Sequence, residues 1–214
     1  TFRKTMDTEP DPKERIDDPS QDPPLAPSDR ILAGHARFTQ LNNALQQGDI
    51  LAPERLTQLL GCHHLEDATS LLHVFLSSGL VTSEAVQQAK EGKKNASGIP
   101  LWKLLFDKGI IGQRAMAMGL AITLNLPYTE MDPGQMEPAA VQRMDGVNAT
   151  RWEALPVRIE GERLYMACAD PKKVDLERAE QLAGLAVRLC VTPRPPLLVA
   201  IDHWYGGETR MATG

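Results

Sequence analysis

The sequence predicts an α+β fold, in which a helical subdomain of repeated helix–Gly–helix units precedes a small α/β subdomain. Three observations predict this fold. A helical phrase that begins at Leu71 is repeated from Leu101, 30 positions later. Two β-rich runs flank Glu160 and Gly161, which is typical of a hairpin. The elements of the second half then follow in the order β-β-α-β-α, which predicts a three-stranded sheet.

The two best copies of the repeat are "LLHVFLSSGLVTSEAVQQA" (71–89) and "LWKLLFDKGIIGQRAMAMG" (101–119). Their apolar positions coincide, whereas their charges differ. In each copy a helix is predicted to end at a glycine, Gly79 or Gly109, because glycine readily takes the left-handed conformation that follows a helix. A third, looser copy surrounds Gly48. The pattern indicates a stack of helical hairpins that share one apolar seam.

The two best copies differ where their second helix begins. Thr82 in "TSEA" is a predicted N-cap, because its hydroxyl can accept a hydrogen bond from the first turn. The second copy has Gly112 at the corresponding position, which has no side chain to cap with. The sequence therefore predicts a capped helix in one copy and an uncapped helix in the other.

The chain is predicted to divide into four segments, with a boundary near the Pro133–Gly134 turn. They are a disordered Pro- and Asp-rich linker (1–30), the helical repeat subdomain (31–131), the small α/β subdomain (132–207) and a tail (208–214). The linker is inferred because six prolines and few apolar residues cannot offset the entropy of ordering it.

The composition argues against several classes of protein. A net charge of -5 disfavours a polymeric nucleic acid as partner, since such binders present a basic face. No apolar run reaches the roughly 18 residues that a membrane span needs, so no direct membrane insertion is expected. Three cysteines without a CxxC pattern predict buried thiols in a reducing compartment, which favours the cytoplasm. No GxxxxGK[ST] phosphate loop is present.

Neither a catalytic nor a metal site is predicted. The run "GCHHLED" contains Cys62, His63, His64, Glu66 and Asp67, which are metal-ligand types. Adjacent histidines on one helix point in different directions, and no second cluster completes a tetrahedral site. We interpret these residues as surface histidines beside a buried Cys62. No convergent polar cluster indicates an enzyme, and no cofactor is expected.

The segments "IPLWKLLFDKGIIGQRAMAMGLAITLNLPYTEMD", "LPVRIEGERLYMACADPKKVD" and "AIDHWYG" resemble, in the same order, the amino-terminal domain of type II secretion and type IV pilus assembly ATPases. The resemblance covers about residues 71–206. It implies a helical subdomain followed by a three-stranded α/β subdomain, which agrees with the fold predicted above. In many members the helical part carries two tandem motifs that bind cyclic di-GMP. The same module is also fused to membrane glycosyltransferases in phage-receptor and exopolysaccharide systems.

The ligand motif of that family is degenerate in this chain. Its binding form opens with Arg-Leu-Gly and closes with Gln. The Arg positions hold Ser70 and Pro100, and the closing positions hold Lys93 and Thr123. Losing one bidentate Arg–guanine contact costs about 1–3 kcal/mol. The positions that the resemblance still assigns to cyclic di-GMP are Leu71, Leu72, Phe75, Gly79, Lys93, Leu101, Trp102, Lys103, Leu105 and Gly109. In this set, Trp102 could stack on a base and Lys93 or Lys103 could reach a phosphate.

The resemblance thus implies a non-catalytic regulatory or docking module of a larger bacterial envelope-assembly protein, a secretion or pilus ATPase. Its expected partners are the cytoplasmic part of an inner-membrane platform or envelope-complex protein and the rest of its own parent chain. Its expected location is cytoplasmic, peripheral to the inner membrane. The alternative is a cyclic di-GMP sensor, including the regulatory tail of a membrane glycosyltransferase.

Overall fold

A computed structural model describes residues 25–62, 70–91 and 98–211. Seven helices form a helical lobe: α1 (Pro27–Gly34), α2 (Thr39–Gln46), α3 (Pro53–Leu60), α4 (Leu71–Ser77), α5 (Ser83–Glu91), α6 (Leu101–Asp107) and α7 (Gln113–Thr123). An α/β lobe follows: α8 (Pro138–Val141), α9 (Gly146–Trp152), β1 (Ala154–Glu160), β2 (Arg163–Cys168), α10 (Leu176–Ala183), β3 (Ala186–Val191) and α11 (Arg194–Met211). The predicted α+β class and the order β-β-α-β-α are confirmed.

All three predicted copies of the repeat are helical hairpins with the same turn. The glycines at the end of the first helix, Gly48, Gly79 and Gly109, have φ of 74°, 70° and 68°. In each turn the glycine N–H bonds three residues back and the following N–H bonds five residues back, as Leu80 does to the Phe75 carbonyl at 3.0 Å. This is the Schellman arrangement, which satisfies the last carbonyls of a helix and favours glycine at the left-handed position.

The sheet has the order β1-β2-β3. Strands β1 and β2 form the predicted antiparallel hairpin, with Glu160 opposite Arg163 beside the turn. Strand β3 lies parallel to β2, and α10 makes the crossover that a parallel pair requires. The left-handed Gly184 ends α10. The second core lies between this sheet and α8–α11, and it includes Trp152, Leu155 and Leu164.

A short backbone ladder joins the two lobes. Leu51 and Tyr128 exchange two backbone hydrogen bonds of 2.8 Å. Tyr128 lies between Leu51 and Val191, because the Val191 N–H donates to the Pro127 carbonyl at 2.7 Å and Thr129 donates to the Val191 carbonyl at 3.0 Å. Tyr128 is fully buried, and Val191 belongs to the core of the helical lobe. The end of the sheet is therefore anchored in the helical lobe.

Two features of the structure were not predicted: a helix that begins within the predicted linker, and two short helices before the sheet. Residues 1–24 of the linker lie outside the described residues, but α1 already begins at Pro27. Proline at the first helical position is favourable because its φ is fixed near the helical value. The helices α8 and α9 were not predicted. The four residues of α8 are too few to show a helical period, and the seven residues of α9, unlike α4 and α6, belong to no repeated phrase. The predicted segment boundaries remain predictions.

Glu153 connects three elements of the α/β lobe. It has a left-handed φ of 48° after α9, and its carboxylate accepts two hydrogen bonds of 2.8 Å from Arg194 at the start of α11. The Lys173 ammonium lies 3.2 Å away. The Arg194 guanidinium, assisted by Lys173, lowers the pKa of Glu153 from 4.5 to about 2.

Glu153→Gln is expected to lower the free energy of unfolding at neutral pH and to lose this effect in acid. A carboxylate whose folded pKa is depressed stabilises the fold above its unfolded pKa and loses that contribution as pH falls towards the folded pKa. The difference between wild type and variant should therefore shrink as pH falls from 4.5 to about 2. Denaturant unfolding across that range measures it, with the exposed Glu160→Gln as control; a difference that stays constant down to the lower limit would contradict the account.

Candidate functional site

The first copy of the predicted ligand motif contributes mainly core residues. Phe75 is completely buried, and its ring lies against Gly119 of α7, where an added Cβ would be 2.8 Å from the ring. Leu71 contacts the same glycine, and Leu72 packs at the edge of the core. Gly79 forms the turn described above. These positions hold α4 onto α7, since only glycine permits so close an approach.

The second copy repeats this arrangement. Leu105 is completely buried, while Leu101 and Trp102 are partly buried against the same core. Lys103 is exposed, and its ammonium lies 3.0 Å from Asp107 one turn later in α6. Gly109 ends that helix with a positive φ. The structure thus brings the apolar motif positions together as packing residues. Of the two motif lysines, only Lys103 lies in the described residues, and it has an acidic neighbour.

The family's polar motif positions have other roles in this chain. Ser70 is the N-cap of α4, and its hydroxyl accepts a hydrogen bond from the His73 N–H at 3.3 Å. Pro100 precedes α6 and has no polar side chain. The Thr123 hydroxyl donates to the Gly119 carbonyl at 2.8 Å. Lys93 lies outside the described residues.

The second helix of the second copy, α7, is capped by two side chains of α1. Gly112 has no capping side chain, as predicted, but the Ser28 hydroxyl accepts a hydrogen bond from the Gly112 N–H at 2.8 Å. The Asp29 carboxylate accepts one from the Ala115 N–H at 3.2 Å. Both side chains are buried. A Cβ on Gly112 would lie only 2.0 Å from the Asp29 carboxylate, so the glycine makes room for this cap.

A polar network not predicted from the sequence lies beside this cap. Arg114 donates to the Glu130 carboxylate and, at 2.7 Å, to the Asn42 amide oxygen. The Tyr128 hydroxyl donates to the same Glu130 carboxylate at 3.1 Å. Burial raises the pKa of Tyr128 well above its usual value, so the phenol is neutral and donates. The network links α2, α7 and the ladder between the lobes.

An open cleft of about 440 Å³, which we call the interlobe cleft, lies between the two lobes. The sheet contributes Arg158, Tyr165 and Arg188, and the helical lobe contributes Asp49 and Arg55. None of the predicted ligand positions lines this cleft. Its volume is in the range of pockets that hold small ligands.

The predicted burial of the cysteines is confirmed, and none forms a disulfide. Burial raises the pKa of the Cys62 thiol, that of Cys168 to about 12, and that of Cys190 well above its usual value. Thiols in this state are poor nucleophiles. His63, His64, Glu66 and Asp67 lie outside the described residues, and the described part of the chain has no group of three His, Cys, Asp or Glu residues placed to hold a metal.

Comparison with known families gives a match in the second half of the chain. Residues 124–211 match the family model of the MshEN domain. This part of the chain is similar to the MshEN domain. The match begins at the end of α7 and includes the whole sheet and α11. Every predicted cyclic di-GMP position lies before the matched residues.

Curated relatives of the chain include two kinds of protein. Bacteriophage adsorption protein B of Escherichia coli (strain K12) is 23% identical over 178 residues, which cover 79% of this chain. The type IV pilus assembly ATPase PilB of Thermus thermophilus is 26% identical over 133 residues, or 61% of the chain. The chain spans only 23% and 15% of the lengths of these two relatives. The predicted relationship to amino-terminal domains of secretion and pilus ATPases is confirmed.

Two solved structures are similar to this chain. A structure of MshE with cdg is 25% identical, covers 66% of this chain and 99% of its own, and has a TM-score of 0.46. The amino-terminal domain of XpsE is 24% identical, covers 67% of this chain and 98% of its own, and has a TM-score of 0.42. Among the described residues of this chain, no helix has both the length and the apolar character needed to cross a bilayer.

Proposed function

We propose that this chain is a non-catalytic docking and regulatory module of a larger envelope-assembly protein. The observation that carries the proposal is the alignment with PilB, an assembly ATPase, of which the chain spans only 15%. A segment of this size, with a match to the MshEN domain and without a phosphate loop, fits an accessory part of such a protein.

The module is proposed to act through contacts rather than through bound cyclic di-GMP. The degenerate motif supports this choice, because Ser70 caps a helix and Pro100 lacks a donor where the binding form has arginines. Lys103 faces Asp107, which reduces its attraction for a phosphate. The proposed partner is the cytoplasmic part of an inner-membrane platform protein, and the proposed location is cytoplasmic, at the inner membrane through that partner.

Deletion of residues 25–211 from the parent protein tests the docking role. The shortened parent is expected to keep its catalytic turnover in solution, because the module supplies no catalytic group. It should fail to enter its membrane assembly, as measured by co-purification with the tagged platform protein. The control is a parent that carries Glu160→Gln, which changes an exposed charge and leaves the cores intact. A shortened parent that still co-purifies fully would refute the docking role.

One observation favours a second class of parent. The alignment with bacteriophage adsorption protein B covers 79% of this chain, against 61% for PilB. In that case the module would be a regulatory tail of a membrane glycosyltransferase, which is the other setting implied by the family resemblance. The parent gene distinguishes the two classes: an ATPase parent encodes a phosphate loop after the module, and a glycosyltransferase parent encodes membrane spans.

A further inference from the structure

We propose that the interlobe cleft is a binding site for a nucleotide, separate from the degenerate cyclic di-GMP motif. The proposal rests on one row of residues across the sheet. Arg158 of β1 lies opposite Tyr165 of β2, and Tyr165 lies opposite Arg188 of β3. Residues directly opposite each other project from the same face of a sheet. All three line the cleft, so the row places a tyrosine between two arginines.

The row is accessible because only part of this sheet face is covered. Further along the same face, Leu155, Ala167 and Cys190 are completely buried. At the Tyr165 row the face is more open, since Tyr165 is half-buried and Arg188 is exposed. The ladder through Tyr128 fixes the two walls relative to each other. The cleft is therefore preformed, which reduces the entropy that binding costs.

The charges of the cleft favour an anion. Arg55, Arg158 and Arg188 contribute three positive charges, against the two negative charges of Asp49 and Glu160. Arg158 is already held by the Gly48 carbonyl at 2.9 Å and by Glu160 at 3.3 Å. Within the described residues, neither Arg55 nor Arg188 has an ion-pair partner. The Arg55 guanidinium donates one hydrogen bond to the Gln58 amide oxygen at 2.9 Å, and both guanidinium groups have the planar geometry that binds phosphate bidentately.

The ring of Tyr165 suits a planar base as the part of the ligand that is joined to the phosphate. A planar base can stack on an aromatic side chain, and a neighbouring guanidinium adds to that stacking. Ile50, Leu51 and Pro127 add apolar residues to the lining of the cleft. The proposal assigns the base to stacking on the Tyr165 ring alone, so the site is expected to accept AMP and GMP with little preference. A nucleoside monophosphate is the smallest molecule that uses both the ring and the arginines.

Calorimetric titration of the 214-residue chain with AMP and GMP tests the proposal. Both nucleotides should bind with similar affinity, while adenosine and inorganic phosphate should each bind at least about tenfold more weakly. Arg188→Ala and Tyr165→Ala should each weaken AMP binding about tenfold. Tyr165→Phe should retain binding because the ring is kept.

Arg163→Ala is the matched control, since Arg163 is an exposed arginine of the same strand that does not line the cleft. It should bind AMP like the wild type, and it and Arg188→Ala should keep the wild-type melting temperature because both arginines are exposed. Tyr165 packs partly against the second core, so Tyr165→Ala is compared with Tyr165→Phe, which keeps the ring. Absence of saturable AMP binding, or equal binding by Arg188→Ala and Arg163→Ala, would overturn the site. Inorganic phosphate binding as tightly as AMP would overturn the nucleotide. The docking proposal does not use this cleft, so none of these results tests the docking proposal.

Discussion

Phe75→Ala is expected to lower the free energy of unfolding by about 3–5 kcal/mol, the usual cost of removing a completely buried phenylalanine. The ring fills the contact between α4 and α7, where Gly119 admits it. Its removal leaves a cavity that the backbones cannot close without breaking the Schellman turn, in which the Phe75 carbonyl accepts from Leu80 and Val81. Urea denaturation measures the loss.

The neighbouring Leu76 provides a control in the same helix, since 37% of it is exposed. Leu76→Ala should cost much less, because a half-exposed side chain leaves no closed cavity. A Phe75→Ala variant no less stable than Leu76→Ala would show that Phe75 is not a packing residue. It would then be available for the ligand contact that the family resemblance assigns to it.

The double substitution Ser28→Ala, Asp29→Ala is expected to lower the free energy of unfolding by about 2–4 kcal/mol. Each residue accepts a hydrogen bond from a buried N–H at the start of α7, and leaving a buried donor without a partner costs about 1–3 kcal/mol. Loss of an N-cap costs a similar amount. Arg30→Ala, an exposed change in the same helix, is the control and should be close to neutral.

Hydrogen exchange locates the effect of that double substitution. The amides of Gly112 and Ala115 should exchange faster in the variant, while those of β2 should change only as global stability changes. Unaltered exchange at both amides would contradict the long-range cap. The result would also bear on the chain's organisation, because it tests whether α1 belongs to the helical lobe.

The sequence predicted those features that depend on neighbours along the chain. The three glycine turns, the Thr82 cap and the hairpin around Gly161 each follow from a few consecutive residues, and Ala85 does donate to Thr82 at 3.2 Å. The cap on α7 joins residues that are 84 and 86 positions apart, so no local pattern could indicate it. The absent cap at Gly112 was the available signal that a partner must come from elsewhere.

In the candidate sites, too, the sequence predicted local features and missed those that join distant residues. The apolar motif positions could be recognised, but the sequence alone could not tell whether Phe75 or Leu105 faces a ligand or the core. The interlobe cleft depends on strand register, which aligns Arg158, Tyr165 and Arg188 from three separate strands. A bulge at Val157 shifts the alternation of β1, so even correct strand bounds would place Arg158 on the wrong face.

The most direct test of the account is calorimetric titration of the 214-residue chain with cyclic di-GMP, at moderate salt. Trp102→Ala and Arg188→Ala are titrated in parallel, so that the degenerate motif and the interlobe cleft are distinguished. The account predicts no saturable binding at the motif: any heat should disappear in Arg188→Ala and remain in Trp102→Ala. Saturable binding that survives Arg188→Ala and is lost in Trp102→Ala would contradict it, and the module would then be a cyclic di-GMP sensor.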